Sequence, residues 1–178
     1  MSDLKEKVLR NIGRNVVNLQ KIEGMLKLLL SSSNFQCPIN KISETLEARK
    51  KQFERKTLGQ LMKEYLKSHN TSKEHIHEYP EDKKENWISF SFDIKKEEGR
   101  LPDYKETYAL LVSERNRLIH HMLMNFDEND VNSCQDLIVE LDKQDEMIQR
   151  EYKNLQSLLK TFDEARKQLI LAELKDKN

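Results

Sequence analysis

Arg115, Asn116, His120 and His121 stand close together in a stretch, residues 103–124, whose other positions follow a helical pattern. Arg115 is a permanent cation, and its planar fork of N–H donors matches the geometry of a phosphate. A histidine titrates near neutrality and moves a proton in either direction. Asn116, directly after the arginine, supplies a neutral amide that can orient its neighbours. Arg115 and His120 lie five steps apart, roughly 140° around a helix, and their long side chains can still converge on one groove. The chemistry such a set serves is handling of an RNA phosphodiester. A 2′-hydroxyl attacks the adjacent phosphate, the histidine moves the proton, and the arginine stabilises charge growing on the phosphate oxygens. His121 is one residue on, about 100° further round, and is read as a packing or surface histidine.

The element that positions this set is the helix itself. Tyr104, Tyr108, Leu111, Val112, Leu118, Ile119 and Met122 recur at three- and four-residue spacing, the pattern of a core-facing stripe. Pro102 suits its first turn.

Around it the chain reads as further helices. From Asp3 to Leu30, Leu4, Val8, Ile12, Val16, Leu19, Ile22, Leu26 and Leu29 form one stripe, which Ser31 to Asn34 ends. Pro38 then imposes an extended or turn geometry. Residues 39–56 are polar with widely spaced Ile42, Leu46 and Phe53, the pattern of a partly exposed helix. Thr57 followed by Gln60 makes a capping box for a helix over 58–67. Residues 69–84 read as a loop. Its His69, His75 and His77 have no further ligand paired with them, so a solvated loop is favoured over a metal site. The period changes to two over Asn86–Ile94, where Ile88, Phe90, Phe92 and Ile94 alternate with polar residues, marking 85–96 as a β-like insertion. A lone strand leaves its backbone unsatisfied, so a partner is required, either a short segment of this chain or another subunit. Asp130 is placed to cap a final helix over 131–175, which has neither Gly nor Pro. There Cys134, Leu141, Ile148, Leu155, Phe162 and Leu169 fall seven apart, but Gln144, Asp145 and Glu151 break the companion seam of a two-stranded coiled coil.

These elements predict a mainly α protein of one domain over 1–178, a helical bundle with one short strand or hairpin segment and a long C-terminal helix. A charged fraction of 35% with 7% aromatics suits solvated helical faces. The 31 basic and 31 acidic residues balance, so any phosphate site must be a local concentration of charge. The basic run over 48–56 reads as an exposed helix face, with contact to an RNA backbone as the alternative. Cys37 and Cys134 have no metal spacing and suit reduced thiols, and the first residues lack the apolar core of a signal peptide; the expected location is the cytoplasm. No Gly-rich phosphate loop, Cys–His pairing or paired-carboxylate motif is present, and no cofactor is predicted.

The run Glu114-Arg115-Asn116-Arg117-Leu118-Ile119-His120-His121 resembles the signature of the HEPN superfamily (higher eukaryotes and prokaryotes nucleotide-binding). In that family an Arg, a following polar residue and a His after four intervening residues lie on one helix. The resemblance implies a small up-and-down α-helical bundle, often dimeric, and a metal-independent endoribonuclease or an inactive binding relative of one. It implies Arg115 and His120 as catalytic groups meeting their copies at a dimer interface, with Asn116 supporting them. It also implies RNA as substrate and, in a toxin–antitoxin or phage-defence setting, a cognate antitoxin or other protein partner. Where toxins of this family often carry a Tyr two residues after the His, this chain has Met122, so control by modification of that Tyr does not carry over. The rival reading is a non-catalytic interaction protein whose working surface is the long C-terminal helix.

Overall fold

A computed structural model of the chain describes residues 2–70, 86–92, 104–124 and 126–175. In chain order its elements are α1 (Ser2–Ser32), β1 (Phe35–Pro38), a 3-10 turn (Ile39–Lys41), α2 (Ile42–Glu54), α3 (Leu58–Asn70), β2 (Trp87–Phe90), α4 (Tyr104–His120) and α5 (Val131–Lys175). The fold is mainly α with a long C-terminal helix, as the periodicities predict, and carries a two-stranded antiparallel sheet. No described helix is long and apolar enough to cross a membrane. Contacts cluster into two compact units, one of residues 1–24 and 102–155, the other of residues 25–101 and 156–178.

The first unit packs α4 and the N-terminal parts of α1 and α5 together. Its core is Val8, Leu19 and Ile22 of α1, Tyr108, Leu111 and Leu118 of α4, and Cys134, Leu137, Ile138, Leu141, Ile148 and Leu155 of α5. Each such leucine contributes roughly 1.5–3 kcal/mol by leaving water. Asn11 bonds Asp142 and Asn18 bonds Asp145, so α1 and α5 run parallel. Gln144 reaches Glu114 while Arg117 pairs with Glu140, so α4 runs antiparallel to α5. The centre of α1's inward face is partly polar. Asn11, Asn15 and Asn18 are buried there, while Ile12 and Val16, expected on that stripe, are only half-buried.

Local sequence explains where α5 begins. Asp130 accepts from the backbone N–H groups of Asn132 and Ser133 at 3.2 and 3.0 Å, and the Ser133 hydroxyl accepts from the Asp127 N–H at 3.1 Å. These side chains satisfy donors that a helix start leaves orphaned. At the other side of the turn, α4 stops at His120 rather than continuing to Met124. The N–H groups of His121 and Met122 both bond the Arg117 carbonyl, which closes the last turn and lets the chain leave.

In the second unit the strand at 87–90 finds its partner in β1, immediately after α1, with Phe35 opposite Phe90 and Pro38 opposite Trp87. The partner is therefore a distant segment of the same chain, and Pro38 sits at the strand's end, where a missing N–H is tolerated. Asn34, at φ 51°, turns the chain from helix to strand, and its side-chain oxygen accepts from the Phe92 N–H at 2.8 Å. Phe90 and Phe92 both meet Phe162 of α5 edge-on, with ring centroids 5.6 and 5.0 Å apart. The capping box forms, with Gln60 accepting from the Thr57 N–H at 2.9 Å. Arg49 closes the end of α1, donating to the carbonyls of Leu30, Ser31 and Ser33 at 2.8, 3.0 and 2.7 Å. His75, His77, Ile94, Gly99 and Pro102 lie outside the described residues.

Candidate functional site

The site residues occupy the last two turns of α4. Arg115 falls in the same row as Tyr108, Leu111 and Leu118, at steps of three and four, and is half-buried where those three are fully buried. Asn116 and His120 are exposed. They are four residues apart, about 40° around the helix, and so are surface neighbours. Arg115 donates from Nη1 to the Asn116 side-chain oxygen at 3.1 Å. That bond turns the guanidinium toward the flank carrying His120. The His120 ring stands edge-on to His121, with centroids 6.2 Å apart. Within one chain Arg115 and His120 make no direct hydrogen bond to each other; Asn116 lies between them on the helix perimeter.

The two arginines of the motif have opposite surroundings. Arg117 is bound by Glu114, at 2.7 Å from Nη2 and 3.2 Å from Nε, and also pairs with Glu140 of α5. Arg115 has no carboxylate partner among the described residues. One cation is thus neutralised in place, and the other is left to attract an anion. Burial raises the Glu114 carboxyl, but hydrogen bonds from Arg117 and Gln144 and the Arg117 charge outweigh it and hold the group below its usual value.

Behind the site runs a polar relay that joins three helices. Gln144, buried to 3% exposure, donates to both the main-chain carbonyl and the carboxylate of Glu114 at 3.0 Å each. Its own oxygen accepts from Asn15 at 3.0 Å, and Asn15 also bonds the Leu141 carbonyl at 2.8 Å. Arg14 continues the relay to Asn15 and pairs with Asp142 and Asp145. Sequence reasoning did not assign roles to Gln144, Glu114 or Asn15. The signals were present: Gln144 interrupts the companion seam of α5, and Asn11, Asn15, Asn18 and Ile22 keep helical spacing.

Two grooves line the α4–α5 seam, of about 560 and 380 Å3, and share Arg117, Asp136 and Glu140. The larger is flanked by the half-exposed Leu110 and Val139, while the smaller reaches His121 and Phe126. Arg115 and His120 line neither groove. Among the described residues no cluster of three or more His, Cys, Asp or Glu is placed to hold a metal ion. Compared with models of known families, with curated proteins and with solved structures, the chain finds no match in any of them.

Proposed function

We propose that this chain is a HEPN-like protein that acts on RNA as a dimer, as a metal-independent endoribonuclease, in a toxin–antitoxin or phage-defence setting. The observation that carries the reading is the state of Arg115: a half-buried guanidinium with no carboxylate partner among the described residues, bound to the neutral Asn116 beside an exposed His120. A cation in that state is suited to take a phosphate as its missing counter-charge. His120 of one copy removes the 2′-hydroxyl proton as that oxygen attacks phosphorus. The second copy's His120 protonates the departing 5′-oxygen, leaving a 2′,3′-cyclic phosphate. Arg115 stabilises the non-bridging oxygens, and Asn116 holds Arg115 in place.

The test is cleavage of RNA in the presence of EDTA by wild type, Arg115→Ala and His120→Ala, with oligomeric state measured alongside. Cleavage by a wild-type dimer, reduced at least about 100-fold in each variant, is the expected result, in line with the usual size of acid–base and charge-stabilising effects. A folded wild-type dimer that cuts no RNA would sink the reading and put the interaction-protein alternative first.

A further inference from the structure

Building on the nuclease reading, we propose that Gln144 of α5 is a positioning residue that sets the register and rotation of α4, and so places Arg115 and His120. Leu111 and Leu118 bury α4 on either side of Arg115, but apolar packing is non-directional and tolerates sliding and small rotations. The Gln144 amide adds a directional lock. It bonds the main-chain carbonyl of Glu114, the residue just before Arg115, at 3.0 Å. A bond to a backbone atom fixes the helix itself rather than a side chain that can swing. The amide cannot flip freely, because its oxygen is held by Asn15 of α1 and its nitrogen also serves the Glu114 carboxylate. With Gln144 only 3% exposed, water has little access to replace those bonds. A single buried amide that fixes register is a known use of polar residues in helical cores.

The active site is sensitive to such a lock, since a misplacement of about 1 Å can cost on the order of 100-fold in rate. Gln144 itself is not a catalytic residue; its effect passes through the α4 backbone.

The experiment compares RNA cleavage by wild type, Gln144→Met and Gln144→Glu. Methionine keeps the length and volume but donates no hydrogen bond; kcat is expected to fall by about 10- to 100-fold, with KM within about twofold. Glutamate can donate only when protonated. It would face Glu114 and Arg117 on α4, Glu140 on α5, and Asn15 with Arg14 behind it on α1. The deficit of Gln144→Glu relative to wild type is therefore expected to shrink as pH falls from 8 to 5, because two carboxyls in contact readily share a proton. A merely space-filling role would leave kcat of Gln144→Met at the wild-type value, and would let pH move the stability of Gln144→Glu without moving the kcat of its folded dimer. If Gln144→Met misfolds, the pH profile of Gln144→Glu decides. Wild-type kcat in Gln144→Met, a loss confined to KM, or a pH-independent deficit in Gln144→Glu would overturn the proposal while leaving the nuclease reading intact. A wild type that cuts no RNA overturns both.

Discussion

Replacing Arg49 of α2 with alanine should destabilise the protein through the end of α1. The guanidinium donates to the carbonyls of Leu30, Ser31 and Ser33 at 2.8, 3.0 and 2.7 Å. These are orphan acceptors at and just past a helix end, where the dipole also favours a cation. Leu30, Ser31 and Ser33 are all buried, so water reaches the vacated carbonyls poorly. Each buried acceptor left unpaired costs about 1–3 kcal/mol, and the costs are not additive; water entry trims them further, giving a total of about 2–4 kcal/mol. Burial lowers the Arg49 pKa from its ordinary value, because the cation gives up hydration to sit there; a guanidinium stays charged all the same. Arg49→Lys keeps the charge but offers a point donor rather than a fork, and should recover about half of the loss. Urea unfolding followed by circular dichroism measures both. If Arg49→Ala and Arg49→Lys each lie within about 0.5 kcal/mol of wild type, the capping argument is wrong, because 0.5 is the scatter of an ordinary surface substitution.

Other perturbations have signs the structure fixes. Glu114 has a folded-state pKa below its ordinary value of 4.5, so it stabilises the protein above that value, and the contribution is lost as pH falls through the folded pKa. Stability titrated from pH 7 to 3 should therefore drop less steeply in Glu114→Gln than in wild type; equal slopes would count against the Arg117 and Gln144 bonds. Asn34 sits at φ 51° and accepts from the Phe92 N–H. Asn34→Ala should cost about 1 kcal/mol more than Asn34→Gly, since both lose the bond but only alanine resists the left-handed conformation. Gly13 and Gly24 lie inside α1, and a Cβ added at either meets nothing within 4 Å. Alanine at each should raise stability by about 0.5–1 kcal/mol in a thermal melt, and a fall at either would mean that something packs against that face.

Much of the fold could be read from periodicity, because helices with one buried face write their spacing into the sequence. The bounds of α5 and its seven-residue row Cys134, Leu141, Ile148, Leu155 and Phe162 follow this rule, and all five are buried. Two things escaped it. The pairing of β1 with β2 depends on a contact across residues 39–86, and the four residues of β1 are too few to show a period. The polar centre of the first unit escaped because Asn15 and Gln144 satisfy each other, and a single-sequence pattern records residue types but not pairings. Gln144, a break in the companion seam of α5 by residue type, is one half of a bonded pair.

Pairing also bears on the candidate site. Arg115 and Arg117 are identical in type and two residues apart, about 200° around α4. The motif's spacing names Arg115 as the phosphate ligand, and the surroundings of the two arginines bear on the same choice. Arg117 meets Glu114 and Glu140, so binding an anion there would first require breaking two ion pairs, and it would leave two carboxylates facing the incoming phosphate. Arg115 donates to the neutral oxygen of Asn116, and among the described residues it has no ion pair that an arriving anion would have to break. Electrostatic cost thus adds to motif spacing in favouring Arg115. It also predicts which substitution separates the two roles. Arg117→Ala should act chiefly on stability, by freeing Glu114 and Glu140, with RNA affinity changing little. Arg115→Ala should weaken RNA binding and flatten its salt dependence while leaving the melting curve near wild type. Measuring RNA binding at two salt concentrations and thermal stability for both variants checks this, and an exchange of the two phenotypes would refute the assignment.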